Sequence, residues 1–139
     1  MRAPRTACLI FALLSVFVLA LVAAESSWQR RVPDADRRRA NPYAGQPEAI
    51  AAGRILFEDN CAKCHGSDAE GRHGRPSLRS EHVAHATDGE LAWLLRNGSL
   101  RKGMPTWSSL PEPERWQLIA FIRSLPRDSA IQAAAPQAR

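Results

Sequence analysis

Hydrophobic positions fall into one long apolar run and three shorter periodic segments, separated by polar stretches. The run extends from Cys8 to Ala24 without a charge, follows Arg2 and Arg5, and ends in Val22-Ala23-Ala24 before Glu25. A basic start, an apolar run and a small-residue exit predict a secretory signal over residues 1–24, with an uncleaved membrane anchor as the alternative. Both place the remainder on the exported side. Residues 25–46 carry Arg30-Arg31 and Arg37-Arg38-Arg39 with prolines at 33 and 42, and no sustained apolar period. This composition predicts a flexible arm or linker.

Pro47 and Glu48 suit the first turn of a helix that runs through Ile50, Ile55 and Phe57 towards Cys61. Gly53, Phe57 and Cys61 are spaced by four and share one face, so the glycine removes a side chain where another helix could cross closely. Thr87-Asp88-Gly89-Glu90 has the T-x-x-E form of a capping box ahead of Leu91, Trp93, Leu94 and Leu95, and Asn97-Gly98 closes that helix. A third helix opens at Pro111-Glu112-Pro113-Glu114, carries Trp116, Leu118, Ile119, Phe121 and Ile122, and stops at Pro126. No segment alternates as a strand does. The fold class is therefore all-α, with one folded unit over residues 47–127, long loops between its helices, and a loose Ala-rich tail at 128–139.

Composition changes this picture in two ways. Of the 139 residues only three are cysteine, and Cys8 lies inside the apolar run, so two remain and no disulfide framework supports so small a core. The formal net charge of +5 falls when residues 1–24, with two arginines and no acids, are removed. What is left is too weak a balance, without a suitable motif, to signal nucleic-acid binding.

The two remaining cysteines stand in Cys61-Ala62-Lys63-Cys64-His65. C-x-x-C-H is the spacing of covalent haem attachment: two thiols about one helical turn apart match the vinyl groups of a porphyrin, and the next residue brings an imidazole to the iron. A structural zinc site would need four ligands and has no second cysteine pair to draw on. A dithiol redox pair would need a βαβ context that is absent from the pattern, and a chance match in a surface loop is the third alternative. Haem attachment through Cys61 and Cys64, with His65 as proximal ligand, is the reading the residues favour.

The second iron ligand must come from His73, His82, His85 or Met104, or the position stays open. Met104 sits in Arg101-Lys102-Gly103-Met104-Pro105, a polar broken loop in which a methionine is out of place as a core filler. It is the expected distal ligand, and the three histidines are expected to face solvent.

Taken together, these residues resemble the class I c-type cytochromes, small monohaem electron carriers with the cytochrome c fold. The resemblance covers about residues 47–126. Gly53, Phe57, Cys61, Cys64 and His65 match the family's first helix and attachment site, and Met104 matches its distal ligand. Leu118-Ile119-Ala120-Phe121-Ile122 resembles the terminal helix, which implies that Leu118 and Phe121 meet Gly53 and Phe57. Pro76-Ser77-Leu78 resembles the family's proline loop, which implies that the Pro76 carbonyl accepts from the proximal imidazole and that Leu78 packs on the ring.

The resemblance implies one haem c and electron transfer, not catalysis. It implies redox partner proteins: a periplasmic donor, such as a quinoprotein dehydrogenase, and an oxidase or another cytochrome. Arg72, Arg75, Arg101 and Lys102 are candidates for a basic rim that steers an acidic partner. The location implied is the periplasm, or the periplasmic face of the inner membrane if residues 1–24 remain. The alternatives are a fixed cytochrome subunit of a dehydrogenase or oxidase complex, and a haem sensor or peroxidase-like protein with an open distal site.

Overall fold

The computed structural model describes residues 28–128. The expected signal at 1–24 and the tail beyond Asp128 lie outside them. Trp28–Arg31 belongs to a unit of its own, in which Gln29–Arg31 forms a 3-10 turn closed by the Arg31 amide donating to the Trp28 carbonyl at 3.0 Å.

The unit that begins at Val32 carries α1 (Asp34–Arg37), α2 (Pro47–Asn60), α3 (Ala62–His65), α4 (Glu81–His85), α5 (Asp88–Asn97) and α6 (Glu112–Ser124), with a 3-10 turn at Leu100–Lys102. Among the described residues there is no strand, only an isolated antiparallel bridge between Ser99 and Met104. Among them, too, no helix is long and apolar enough to cross a membrane.

The main packing in this unit is α2 against α6. Pro47 stands at the start of α2 and Pro113 in the first turn of α6, where a missing amide costs no intrahelical bond. Gly53 is the crossing point: a Cβ there would overlap the Gln117 carbonyl and come within 2.9 Å of the Phe121 Cβ. One turn on, the Phe57 and Phe121 rings lie 5.3 Å apart between centroids and are tilted by 44°. Phe57, Leu118 and Ile119 are fully buried, each contributing about 1.5–3 kcal/mol of apolar transfer. The glycine meets Gln117 backbone and Phe121, a register in which Leu118 turns into the core beside the crossing.

Helix α5 begins with the expected capping box. The Glu90 amide donates to Thr87 Oγ1 at 3.1 Å, and the Thr87 amide donates to Glu90 Oε2 at 2.7 Å. Leu91 and Leu95 are buried, as an amphipathic helix requires. The short α4 has no sequence signature. It is held from outside, by Arg123 Nη1 donating to the Val83 carbonyl at 2.9 Å while Nε donates to Asp88 Oδ1 at 2.7 Å.

Residues 32–46, read from composition as part of an arm, are bound to the rest of this unit. Arg37 pairs with the buried Glu90, and its carbonyl accepts from Thr87 Oγ1 at 2.9 Å. Arg39 pairs with Glu112 and lies 5.0 Å above the centre of the Trp116 ring. Asn41 is buried and donates to the Trp116 carbonyl at 3.0 Å. Composition misled because these arginines each meet a particular carboxylate or ring, so the segment is ordered by its partners rather than by an apolar stripe of its own.

Candidate functional site

The site starts where α2 ends. Cys61 is the C-cap of α2 and its amide donates to the Phe57 carbonyl at 2.8 Å, so the buried face of that helix carries the first thiol inward. The chain then tightens into α3. The Cys64 and His65 amides both donate to the Cys61 carbonyl, at 3.0 and 2.9 Å, which brings Cys61, Cys64 and His65 onto one turn. Cys61 is buried and Cys64 exposed, and no disulfide joins them. Burial pushes the Cys61 thiol up to about 11, with Cys64 adding to the effect.

After His65 the backbone doubles back. Gly66, Ala69, Gly71, His73 and Gly74 all have positive φ, and Gly71 is the one on which the shape depends. Its φ is +84°, a Cβ on it would overlap the Arg75 carbonyl, and its amide donates to the His65 carbonyl at 2.7 Å. This fold-back delivers Pro76: its carbonyl oxygen lies 3.0 Å from His65 Nδ1. A carbonyl only accepts, so Nδ1 carries the proton in this contact and Nε2 keeps the lone pair a metal needs. Leu78 is half-buried, with its amide donating to the Ala69 carbonyl at 2.9 Å. Its side chain lines a hollow of about 200 Å³ with Val83, Ile122 and Leu125.

Met104 lies on a second loop and is half-buried. The Met104 amide donates to the Ser99 carbonyl at 3.1 Å, and the Ser99 amide donates back to the Met104 carbonyl at 2.9 Å, which closes the base of the loop. Further on, the Trp107 amide donates to the Leu95 carbonyl at 2.8 Å, and Arg115 donates to the Leu110 carbonyl. The loop is thereby tied to α5 and α6.

His82 and His85 are exposed on α4, His85 Nε2 being 3.9 Å from Glu81 Oε1, and His73 is exposed in the fold-back loop. Among the described residues no group of three or more His, Cys, Asp or Glu side chains is arranged to hold a metal ion. Two residues of importance were not read as such in the sequence. Gly71 was signalled only by the recurrence of glycine at 66, 71 and 74. Arg75, read as a rim charge, has its guanidinium on the Met104 loop, with Nη1 donating to the Lys102 carbonyl at 2.6 Å.

A helical domain whose longest helix ends in this attachment turn is a c-type cytochrome domain, and the comparisons with known proteins agree. Residues 48–122 match the family described as cytochrome C oxidase, cbb3-type, subunit III. Over 88 residues, 62% of this chain and 29% of the relative, it is 34% identical to the cbb3-type cytochrome c oxidase subunit CcoP of Rubrivivax gelatinosus. It is 28% identical to cytochrome c550 of Pseudomonas aeruginosa, over 60% of this chain and 61% of that one. The crystal structure of cytochrome cL from Methylophaga aminisulfidivorans superposes with a TM-score of 0.57 at 32% identity, over 68% of this chain and 65% of that one. The chain spans about three tenths of the length of the CcoP relative.

The chain belongs to the family of cytochrome C oxidase, cbb3-type, subunit III. Its cofactor is covalent haem c, with Cys61 and Cys64 as the attachment pair. The residues fit that group: two thiols on one turn, and an imidazole whose Nδ1 faces a carbonyl acceptor.

Proposed function

We propose that this chain is an exported carrier of single electrons, with His65 and Met104 as the iron ligands and Pro76 and Leu78 as supporting residues. Bound haem supplies an iron that takes up and returns one electron. The observation that carries the reading is the 3.0 Å contact between His65 Nδ1 and the Pro76 carbonyl, eleven residues away and brought there by the fold-back loop. It fixes the tautomer and the ring plane, so Nε2 is held ready for a metal without reorganisation. The Met104 thioether, on a loop closed at its base, supplies a soft neutral ligand that favours the ferrous state. With His65 and Met104 both committed to the iron, no position would be left for a substrate, which favours relay over catalysis. Residues 47–127 would form the core of the haem domain, with residues 32–46 packed on it.

Partners follow at two levels. Relatives of this chain are named as oxidase subunits and as a cytochrome cL, which supports redox partner proteins in general. A dehydrogenase as donor and an oxidase or cytochrome as acceptor is the finer reading we propose, in the periplasm or at its membrane face. The cbb3-type relatives favour a second arrangement, a subunit fixed in an oxidase complex. A redox titration of the purified native protein, run alongside its size in mild detergent, tests both. A reversible one-electron wave on a small free species supports the carrier, the same wave on a large assembly supports the subunit, and turnover of peroxide with a high-spin ferric spectrum contradicts both.

A further inference from the structure

Arg75 stands immediately before the proline whose carbonyl meets His65, yet its side chain reaches the other ligand loop. Nη1 donates to the Lys102 carbonyl at 2.6 Å. The guanidinium also covers Gly103: a Cβ on that residue would lie 2.6 Å from Nη1, 3.1 Å from Nη2 and 3.2 Å from Cζ. Gly103 has φ +73°, a backbone conformation that suits glycine. The next residue is Met104.

We propose that Arg75 is a positioning residue, a clamp that joins the loop presenting Pro76 to the loop presenting Met104 and so holds the methionine in place. This rests on the reading of Met104 as the distal ligand. The other anchors of the Met104 loop lie at its base, in the Ser99–Met104 pair and the bond from the Trp107 amide to the Leu95 carbonyl. Its tip at Arg101–Gly103 has local turn bonds, from the Lys102 amide to the Ser99 carbonyl and from the Gly103 amide to the Leu100 carbonyl, both at 2.8 Å. Local bonds close a turn without fixing where it sits. The Arg75 fork supplies that reference, because a planar guanidinium can bond the carbonyl with one edge while its face covers the glycine. A lysine would keep the charge and lose the face.

Bonded to a neutral carbonyl, the guanidinium keeps its full charge and so remains available to a steering rim. Arg72, in the same loop and exposed, is the matched control.

The test uses the ferric holoprotein and its Arg75→Gln, Arg75→Lys and Arg72→Gln variants, with amide hydrogen exchange and imidazole titration as readouts. Loss of one charge-assisted bond at an exposed site predicts exchange about fivefold faster at Lys102, Gly103 and Met104 in Arg75→Gln. Exchange at Leu91 and Trp107 is unchanged, which reports an intact fold. Imidazole, competing with the methionine for the iron, gains about fivefold in apparent affinity. Arg75→Lys falls between, and Arg72→Gln matches the parent. Unchanged exchange at the loop tip overturns the clamp. Faster exchange with unchanged imidazole affinity overturns its role towards the ligand. If imidazole binds the parent without displacing a methionine, the ligand reading itself fails and the proposal fails with it.

Discussion

The Cα of Gly53 rests on the carbonyl of Gln117, with no room for a Cβ between them. Helices α2 and α6 cross there, and the obstacle is backbone, which cannot rotate aside as a flexible side chain would. Gly53→Ala should force the helices apart and cost about 3 kcal/mol. Urea unfolding of the holoprotein measures it, and a loss under about 0.5 kcal/mol would show that the crossing is not tightly fixed.

Gly71 and Gly74 give a matched pair in the fold-back loop. Both have positive φ, but a Cβ on Gly71 overlaps the Arg75 carbonyl while one on Gly74 meets open space. Gly74→Ala should cost only the backbone strain, about 1 kcal/mol, and Gly71→Ala about 3 kcal/mol in total. Gly71→Ala should also move the Pro76 carbonyl off His65, seen as a shifted Nδ1 proton resonance. Equal effects from the two changes would contradict the packing role of Gly71.

Arg37 faces the buried Glu90, which also accepts from the Thr87 amide. Removing the arginine leaves one carboxylate oxygen short of a partner, so Arg37→Ala should lose about 2 kcal/mol. The double change Arg37→Ala with Glu90→Gln should recover part of that. A double-mutant cycle in thermal unfolding checks it, and strict additivity would mean the pair is not coupled.

Arg39 hydrogen-bonds the Glu112 carboxyl and holds it below the ordinary carboxylate range, with a bond from Trp116 Nε1 adding to the effect. A carboxyl depressed in the folded chain releases its proton more readily there than in the unfolded chain. Its contribution is therefore complete above the ordinary value of about 4.3 and is lost as pH falls through the folded value. Because Glu112 is half exposed, the pair should contribute about 0.5 kcal/mol. Arg39→Ala should lose this at pH 7 and not at strongly acid pH, while the loss of its packing on Trp116 persists at both. Stability differences that do not vary with pH would contradict the pairing.

Helices α2, α5 and α6 were legible because each carries its own boundary. Thr87 and Glu90 mark one start, Pro47 and the Pro111–Pro113 pair the others, and Gly53 the crossing. Attachment was legible because Cys61, Cys64 and His65 are consecutive along one turn. Residues 32–46 were misread because Arg37 and Arg39 owe their order to Glu90, Glu112 and Trp116, more than fifty residues away. Helix α4 was missed for a related reason, since its carbonyls are held by Arg123 rather than by a cap of its own. The second duty of Arg75 was hidden because a guanidinium that bonds a backbone carbonyl leaves no mark on the partner's residue type.

Joint ligation by His65 and Met104 is tested most directly by the ferric absorption spectrum and reduction potential of Met104→Ala, set beside His73→Ala, His82→Ala and His85→Ala. The predicted result is loss of the methionine-to-iron charge-transfer band and a lower potential in Met104→Ala alone, with all three histidine variants matching the parent. A Met104→Ala protein that keeps the parent band and potential would contradict the account.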